Sequence, residues 1–465
     1  MKQFVVRILS VAFALSAITI SSAHAQITLF AVGNLTGSRA GSYTDLSHLN
    51  YTLENGVAAS DLGGLGSAIT YAGGKNFLAL PDRGPNAVSF DSNVDDTVSY
   101  INRFHTISMD LRPNTGSGLP YTLTPTLKLT TLLWSFTPLV YGSGDSIVGS
   151  GVPPLNGWFF NFFTGRSDNF DPSRNSGNPN DGRFDTEGIR VSNDGFSVFI
   201  SDEYGPYVYQ FDRLTGLRLR SFALPSSFYV NTLSSMGAVE ISSNTSGRVA
   251  NKGMEGLAIT PDGKTLVGIM QNALIQDAAE GGSAKNLLRI VTIDIRSGAV
   301  THQYGYLLTT GSGVSEILAL NNHEFLVDER DGKGRGDGSN AKIKQLFKID
   351  LSNAVDISDM DGLTGAANAV NKTLFLDLVP LLTGNGIAAS NIPAKIEGIS
   401  FGADVKQGAT TYHTLWIAND NDFLQTVADP SGNQIDNPNQ FFVVGFTDAD
   451  LGGSKYVPQQ PRPLL

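Results

Sequence analysis

The 465-residue chain has no cysteine, which excludes disulfides, a thiol nucleophile and a thiolate metal centre. Histidine is also scarce. The six histidines are scattered, and His105, His302, His323 and His413 stand singly, reading as structural or surface residues rather than general bases. Charged residues are only 16% of the chain, and acids exceed bases to give a net charge of −11. A nucleic-acid backbone or an anionic membrane requires a basic face and is not the expected partner. Acidity alone equally describes a solvated surface. Stretches with helical periodicity are few beside 51 Gly and 20 Pro; residues 353–376, an exception, read as loop decoration.

The long apolar run, residues 8–20, is N-terminal. Lys2 and Arg7 precede it and Ala23-His24-Ala25 follows, the small-x-small pattern of a secretory cleavage site. The run is shorter than the roughly 20 residues of a spanning helix, so residues 1–25 are expected to be a signal peptide rather than an anchor. The expectation is a periplasmic or secreted chain beginning near Gln26, with no membrane span after cleavage. Without disulfides, its stability would come from core size and bound ions. No Pro/Ser linker or charge block interrupts the rest, and residues 26–465 are expected to form one domain.

A repeated unit organises that domain. In NKGMEGLAITPDGKTLVGIMQN, residues 251–272, Glu255-Gly256 leads into an apolar run, Pro261-Asp262-Gly263-Lys264 supplies a turn, and a second β-rich run stops at Gln271-Asn272. The same order recurs from Glu187-Gly188-Ile189 to Asp202-Glu203, from Ser315-Glu316-Ile317 to Asp328-Glu329-Arg330, and from Glu397-Gly398-Ile399 to Asp420. A first copy has Ser67 in the acid's place and ends at Asp82-Arg83. Third strands follow in each copy, closing at Asp110, Asp212, Asp294, Asp350 and Phe446, and fourth strands follow two of them. Four antiparallel strands per unit, repeated around an axis, are the sequence form of an all-β propeller. Six four-stranded antiparallel blades are expected, the sixth coming from residues 110–142 or from joined N- and C-terminal strands. Uneven spacing of the acids fits blades with long loops.

In a propeller the inner strands line the channel, so equivalent strand mouths gather into one ring. Glu187, Glu255, Glu316 and Glu397 hold one such place; Asp82, Asp202, Glu203, Asp328, Glu329 and Asp420 hold a second. Crowded carboxylates have raised pKa values unless a cation lies among them. Many hard oxygen ligands with few nitrogens and no sulfur favour Ca2+ over zinc or copper. Equally, each Glu-Gly could brace a blade by accepting backbone N–H bonds. Arg83, Arg183, Lys252, Arg330 and Lys395 lie beside these acids, a pattern that suits a phosphate bridged to metal ions, although ordinary ion pairing gives the same sequence.

Asp82-Arg83-Gly84-Pro85-Asn86, Ser201-Asp202-Glu203-Tyr204-Gly205-Pro206, Met254-Glu255-Gly256-Leu257, Asp328-Glu329-Arg330-Asp331-Gly332 and Lys395-Ile396-Glu397-Gly398-Ile399 together resemble the phytase-like family described as having esterase-like activity. The resemblance covers roughly residues 63–446. It implies an exported β-propeller hydrolase of phosphate or other esters, calcium-dependent by likeness to the β-propeller phytases. Asp82, Arg83, Glu187, Glu203, Glu255, Arg330 and Glu397 fall on its motifs, while Ser67 and Gln271 depart from a repeat-wide acid pattern.

Other chemistries fit less well. Gly398-Ile399-Ser400-Phe401-Gly402 matches a nucleophile elbow, but loop and strand follow where that elbow needs a helix. The Gly-rich run at residues 61–66 precedes a strand and fails as a phosphate loop. Trp158-Phe159-Phe160 is open to two readings, a lid over the mouth or packing beneath an insertion. The expected activity is hydrolysis of a small-molecule ester, a phosphate ester first, with Glu187, Glu255 and Glu397 catalytic and Arg83, Lys252, Arg330 and Lys395 binding substrate. Carboxylic-ester or lactone hydrolysis at the same place is one alternative; a non-catalytic propeller with structural ions is the other.

Overall fold

The structure, a computed structural model, describes residues 27–87, 97–142 and 151–464. The expected leader lies outside the described residues. The main sheets are five antiparallel blades of a β-propeller. The first contains Ala68–Tyr71, Asn76–Leu80, Arg103–Pro113 and Tyr121–Leu132. The second contains Thr186–Val191, Ser197–Asp202, Tyr207–Asp212 and Arg218–Ala223. Met254–Ile259, Thr265–Met270, Leu287–Asp294 and Val300–Leu307 make the third, and Gly313–Ala319, Glu324–Arg330, Lys344–Asp350 and Lys372–Asp377 the fourth. In the fifth, Lys395–Phe401, Thr410–Asp420 and Gln440–Phe446 are completed by the N-terminal Thr28–Asn34, antiparallel to Gln440–Phe446.

The blade number is therefore five among the described residues, not six. Tyr121–Leu132, in the segment expected to start another blade, pairs with Arg103–Pro113 as the fourth strand of the first. Joining the two chain ends completes the fifth blade instead of adding one. Residues 353–376 are also more than decoration, because Lys372–Asp377 is the outer strand of the fourth blade.

Burial follows position in the blade. The inner strands Thr186–Val191 and Met254–Ile259 are buried at every residue, having a blade on each face. The outer Tyr121–Leu132 alternates Thr with Leu and is exposed along much of one face. Cores fill the gaps between blades: Leu78, Phe104, Ile189 and Val198 between the first two, Leu257, Leu266 and Phe222 between the second and third, and Val267, Ile290, Phe325 and Val327 between the third and fourth. Each such side chain contributes about 1.5–3 kcal/mol. The inner strands pack side by side in a closed ring.

Glycine permits that approach. A Cβ on Gly188 would lie 2.9 Å from Leu257 N, one on Gly256 2.7 Å from Ile317 N, and one on Gly398 2.9 Å from Ile69 N. Each Glu-Gly thus places its glycine against the backbone of a neighbouring blade.

Below this level a single ion pair ties the blades at the axis. Arg190 is buried and donates from Nη1 to Ile69 O (2.9 Å) and Ile189 O (2.7 Å), and from Nη2 to Ile317 O (3.0 Å) and Ile399 O (3.5 Å). Glu316 Oε2 lies 2.9 Å from Arg190 Nη2, and its Oε1 accepts from Leu257 N (2.8 Å) and Ile317 N (3.0 Å). All five blades contribute a group.

Candidate functional site

The register defines equivalent positions at the mouth. Ile69, Ile189, Leu257, Ile317 and Ile399 pair with Ala79, Ile200, Gly268, Val327 and Ile417. Two residues before this level on the inner strands stand Ser67, Glu187, Glu255, Ser315 and Glu397. Three residues beyond it on the second strands stand Asp82, Glu203, Gln271, Arg330 and Asp420. In four blades the ladder breaks between this level and the mouth. A β-bulge re-aims the side chain beside it, and here it turns the inner-strand residue toward the mouth.

This register corrects the equivalence expected for Glu316. Ser315 holds the place of Glu255, and Glu316 holds the place of Gly256, one residue nearer the axis. Its carboxylate is consumed by Arg190 and two backbone N–H groups, so it braces the ring and does not join the mouth. Glu329 is also elsewhere. It accepts from Tyr306 Oη, Lys372 Nζ, Ser312 Oγ (2.8 Å) and Thr309 N (3.2 Å) between the third and fourth blades. Asp202 is engaged by Asp185 N (3.1 Å), Tyr204 N (3.0 Å) and Gly205 N (2.8 Å). Lys252 is exposed on the turn before its strand.

The remaining residues converge. Glu203 and Glu255 influence each other's ionisation across the second and third blades, and Gln271 acts on Glu255 from the same side. Neighbouring buried carboxyls oppose each other's ionisation. Burial, then the Glu255 charge, raises Glu203 well above the carboxylate range; burial also raises Glu255. Glu187 is pushed well up by burial and then by Glu255, Asp185 and Glu203. Asp82 rises to about 6 through burial and the Asp420 charge, and Asp420 to about 7 mainly through burial.

Cations meet only part of this charge. Lys395 Nζ bonds Asp420 and Asp422 Oδ1 (2.7 Å) and lies 3.8 Å from Glu397 Oε1. Burial opposes the charge on Lys395, but Asp420 and Asp422 outweigh it and raise its pKa. Arg330 Nη2 bonds Glu397. Arg83 donates from its backbone N to Asp185 Oδ1 (3.1 Å) and from Nη1 to Asp185 Oδ2 (3.4 Å). Asp185 and Asp422 were not singled out from the sequence as ligands. Their signal was proximity: each stands two residues from a named acid, Glu187 and Asp420.

The donor set fits a hard cation. Ligand oxygens of Asp82, Asp420 and Asp422 lie within 4.8 Å of one another, as do those of Asp185, Glu187 and Glu203. Glu203 Oε1, Glu255 Oε2 and both oxygens of Asp328 are buried without a hydrogen-bond partner. Such orphaned acceptors cost free energy unless protonated or bound to an ion, and all-oxygen sets are those of calcium or magnesium.

Ser400 is no nucleophile here. Its Oγ donates to Phe401 O (2.9 Å) and accepts from Tyr71 N (2.9 Å) within a buried inner strand. The aromatic run does not lid the mouth. Phe160 packs on Trp134 (4.7 Å), whose indole bonds Thr215 O (2.8 Å) in the turn at the far end of the second blade, leaving Trp158 97% exposed.

Fold and site together define a five-bladed β-propeller with a buried, carboxylate-rich mouth. The chain belongs to the phytase-like family, described as having the esterase-like activity of phytase, which it matches over residues 60–423. It is 28% identical over 321 residues to an uncharacterized secreted protein of Arthroderma benhamiae, a match covering 58% of this chain and 59% of that relative. Among solved structures it is similar to a luciferin-regenerating enzyme (10% identity, 87% of this chain, 97% of that one, TM-score 0.35). A putative 6-phosphogluconolactonase from Bacteroides uniformis is another (11% identity, 80% and 84%, TM-score 0.31).

Proposed function

We propose that the protein is an exported, calcium-assisted hydrolase of phosphate esters, with its reaction at the carboxylate-rich mouth. The observation that carries this reading is the pair of three-carboxylate groups beside orphaned oxygens on Glu203, Glu255 and Asp328. Family membership supports ester hydrolysis, and the secreted relative supports export.

Asp185, Glu187 and Glu203 would hold one Ca2+, and Asp82, Asp420 and Asp422 another. Bound calcium supplies Lewis-acid stabilisation of an ester oxygen and acidifies water. The chain's own groups do the rest. Glu255, raised by burial and outside both of these ligand groups, takes a proton from attacking water. Arg330 has a buried Nε without a hydrogen-bond partner and is oriented by Glu397, so it can donate to an oxygen gaining charge. Arg83, steadied by Asp185, and Lys395, between Asp420 and Asp422, offset the negative charge around an anionic substrate. Lys252, being exposed, contributes at most long-range attraction.

The test is hydrolysis of a chromogenic phosphate monoester by the mature protein, with calcium and then with a chelator. Turnover that disappears on chelation and returns with Ca2+ is expected. Metal-dependent cleavage of a carboxylic ester or lactone without phosphatase activity would move the substrate class. No turnover of any of these esters, with calcium still raising Tm, would replace the hydrolase by a propeller with structural ions.

A further inference from the structure

A cavity of about 340 Å³ opens at the mouth-side end of the fifth blade, where Asn34 and the 435–438 loop meet the segment after the fourth blade's second strand. Arg335 and Arg39 line it with Thr36, Ser38 and Asp436. Arg335 is only 9% exposed, yet its recorded partners are all neutral: Asn437 Oδ1 (3.3 Å), Asn391 O (3.3 Å) and Gln440 Oε1 (3.2 Å). A guanidinium carries five N–H donors, so three bonds leave two to offer. Among the described residues neither Arg335 nor Arg39 has a carboxylate oxygen within 4 Å.

A buried, uncompensated guanidinium is costly. Burial lowers Arg335 only to about 10, so it stays charged at neutral pH. Asp436, the one acid in the lining, has its Oδ2 occupied by Ser38 N (3.0 Å) and Ser38 Oγ. Two guanidiniums therefore face one carboxylate. We propose that this cavity is a binding site for a compact oxyanion, a phosphate or carboxylate group, held from the floor by Arg335 and from the rim by Arg39. Guanidinium forks match both groups. The site is separate from the mouth: a reciprocal amide pair, Asn421 Nδ2 to Asn437 O (2.9 Å) and Asn437 Nδ2 to Asn421 O (3.1 Å), stands between them.

The experiment is calorimetric titration of the full mature chain with inorganic phosphate and, in parallel, acetate, at constant ionic strength and with chelator present. Chelation keeps calcium out of the mouth, so no calcium-bridged anion is held there, and the Arg39 variant reports on this cavity. Saturable binding of at least one anion is expected, the tighter one identifying the group. Arg39→Ser should weaken it about tenfold, the loss of one charge-assisted contact, and Arg335→Gln should abolish it. Glu255→Gln should leave it unchanged. No saturable binding of either anion, wild-type affinity in Arg39→Ser, or loss in Glu255→Gln would overturn the proposal. Arg39 is exposed, so its variant decides the matter even where Arg335→Gln fails to fold.

Discussion

Two levels of one channel use glutamate in opposite ways. At the axis, Glu316 meets Arg190 and two backbone N–H groups, and its charge is met by a cation. At the mouth, one step outward, Glu187, Glu203 and Glu255 crowd together with too few donors, and burial, with repulsion from neighbouring acids at Glu187 and Glu203, raises their pKa values. Burial raises Glu316 too, to about 8, but there Arg190 and the two backbone N–H groups work against the rise. The mouth, with orphaned oxygens on Glu203, Glu255 and Asp328, is completed only by protons or a cation.

Breaking the axis should have the largest effect. Arg190→Met strands Glu316 and leaves four carbonyls without their donor, so chemical denaturation should reveal a loss of about 3–5 kcal/mol. The double variant Arg190→Met with Glu316→Met should recover part of it, because no lone buried charge remains. Calcium should change neither result much. At the mouth the pattern reverses: Glu255→Gln should reduce ester turnover at least about a hundredfold, while Tm in chelator is unchanged or higher.

A third expectation concerns pH. Unfolded carboxyls titrate near about 4, whereas Asp82 holds its proton to about 6 and Asp420 to about 7. Between these limits the folded chain binds more protons than the unfolded one, so stability must fall as pH rises from about 4 to about 7, and fall further as the carboxyls raised higher still, Glu316 to about 8 among them, ionise. Melting scans of chelated protein should trace that decline, and saturating calcium should flatten it. Calcium added to unbuffered protein near neutrality should release protons, measured with an indicator dye. The smallest effect belongs to Lys252→Ala. An exposed lysine should leave Tm unchanged within about 0.5 kcal/mol of stability and shift KM only slightly; a large rise in KM would place it on the substrate.

Much of the fold and site was legible in local pattern. Turn residues such as Pro261-Asp262-Gly263 and the apolar runs beside them mark the strand pairs, and Glu-Gly marks the inner strands, because turn chemistry and burial on both faces leave their trace in neighbouring residues. Glu187, Glu255, Glu397, Asp82, Glu203, Arg330, Lys395 and Asp420 do meet at one mouth. Glu316 misled because its triplet Ser315-Glu316-Ile317 puts an acid beside the true position. Asp202 and Glu329 misled because alternate residues of a strand face opposite sides, and each adjoins the one that faces the mouth.

By itself the sequence determined a repeated four-stranded unit, an acid at most inner-strand starts and a chain without thiol chemistry, all of which depend on residue type and short spacing. Only the tertiary structure decided the count of five blades, closure by Thr28–Asn34, the turning of Glu316 to the axis and the recruitment of Asp185 and Asp422. Those outcomes depend on which strands meet across distant stretches of chain and on a one-residue break in register, which changes the face a side chain presents without altering the local pattern.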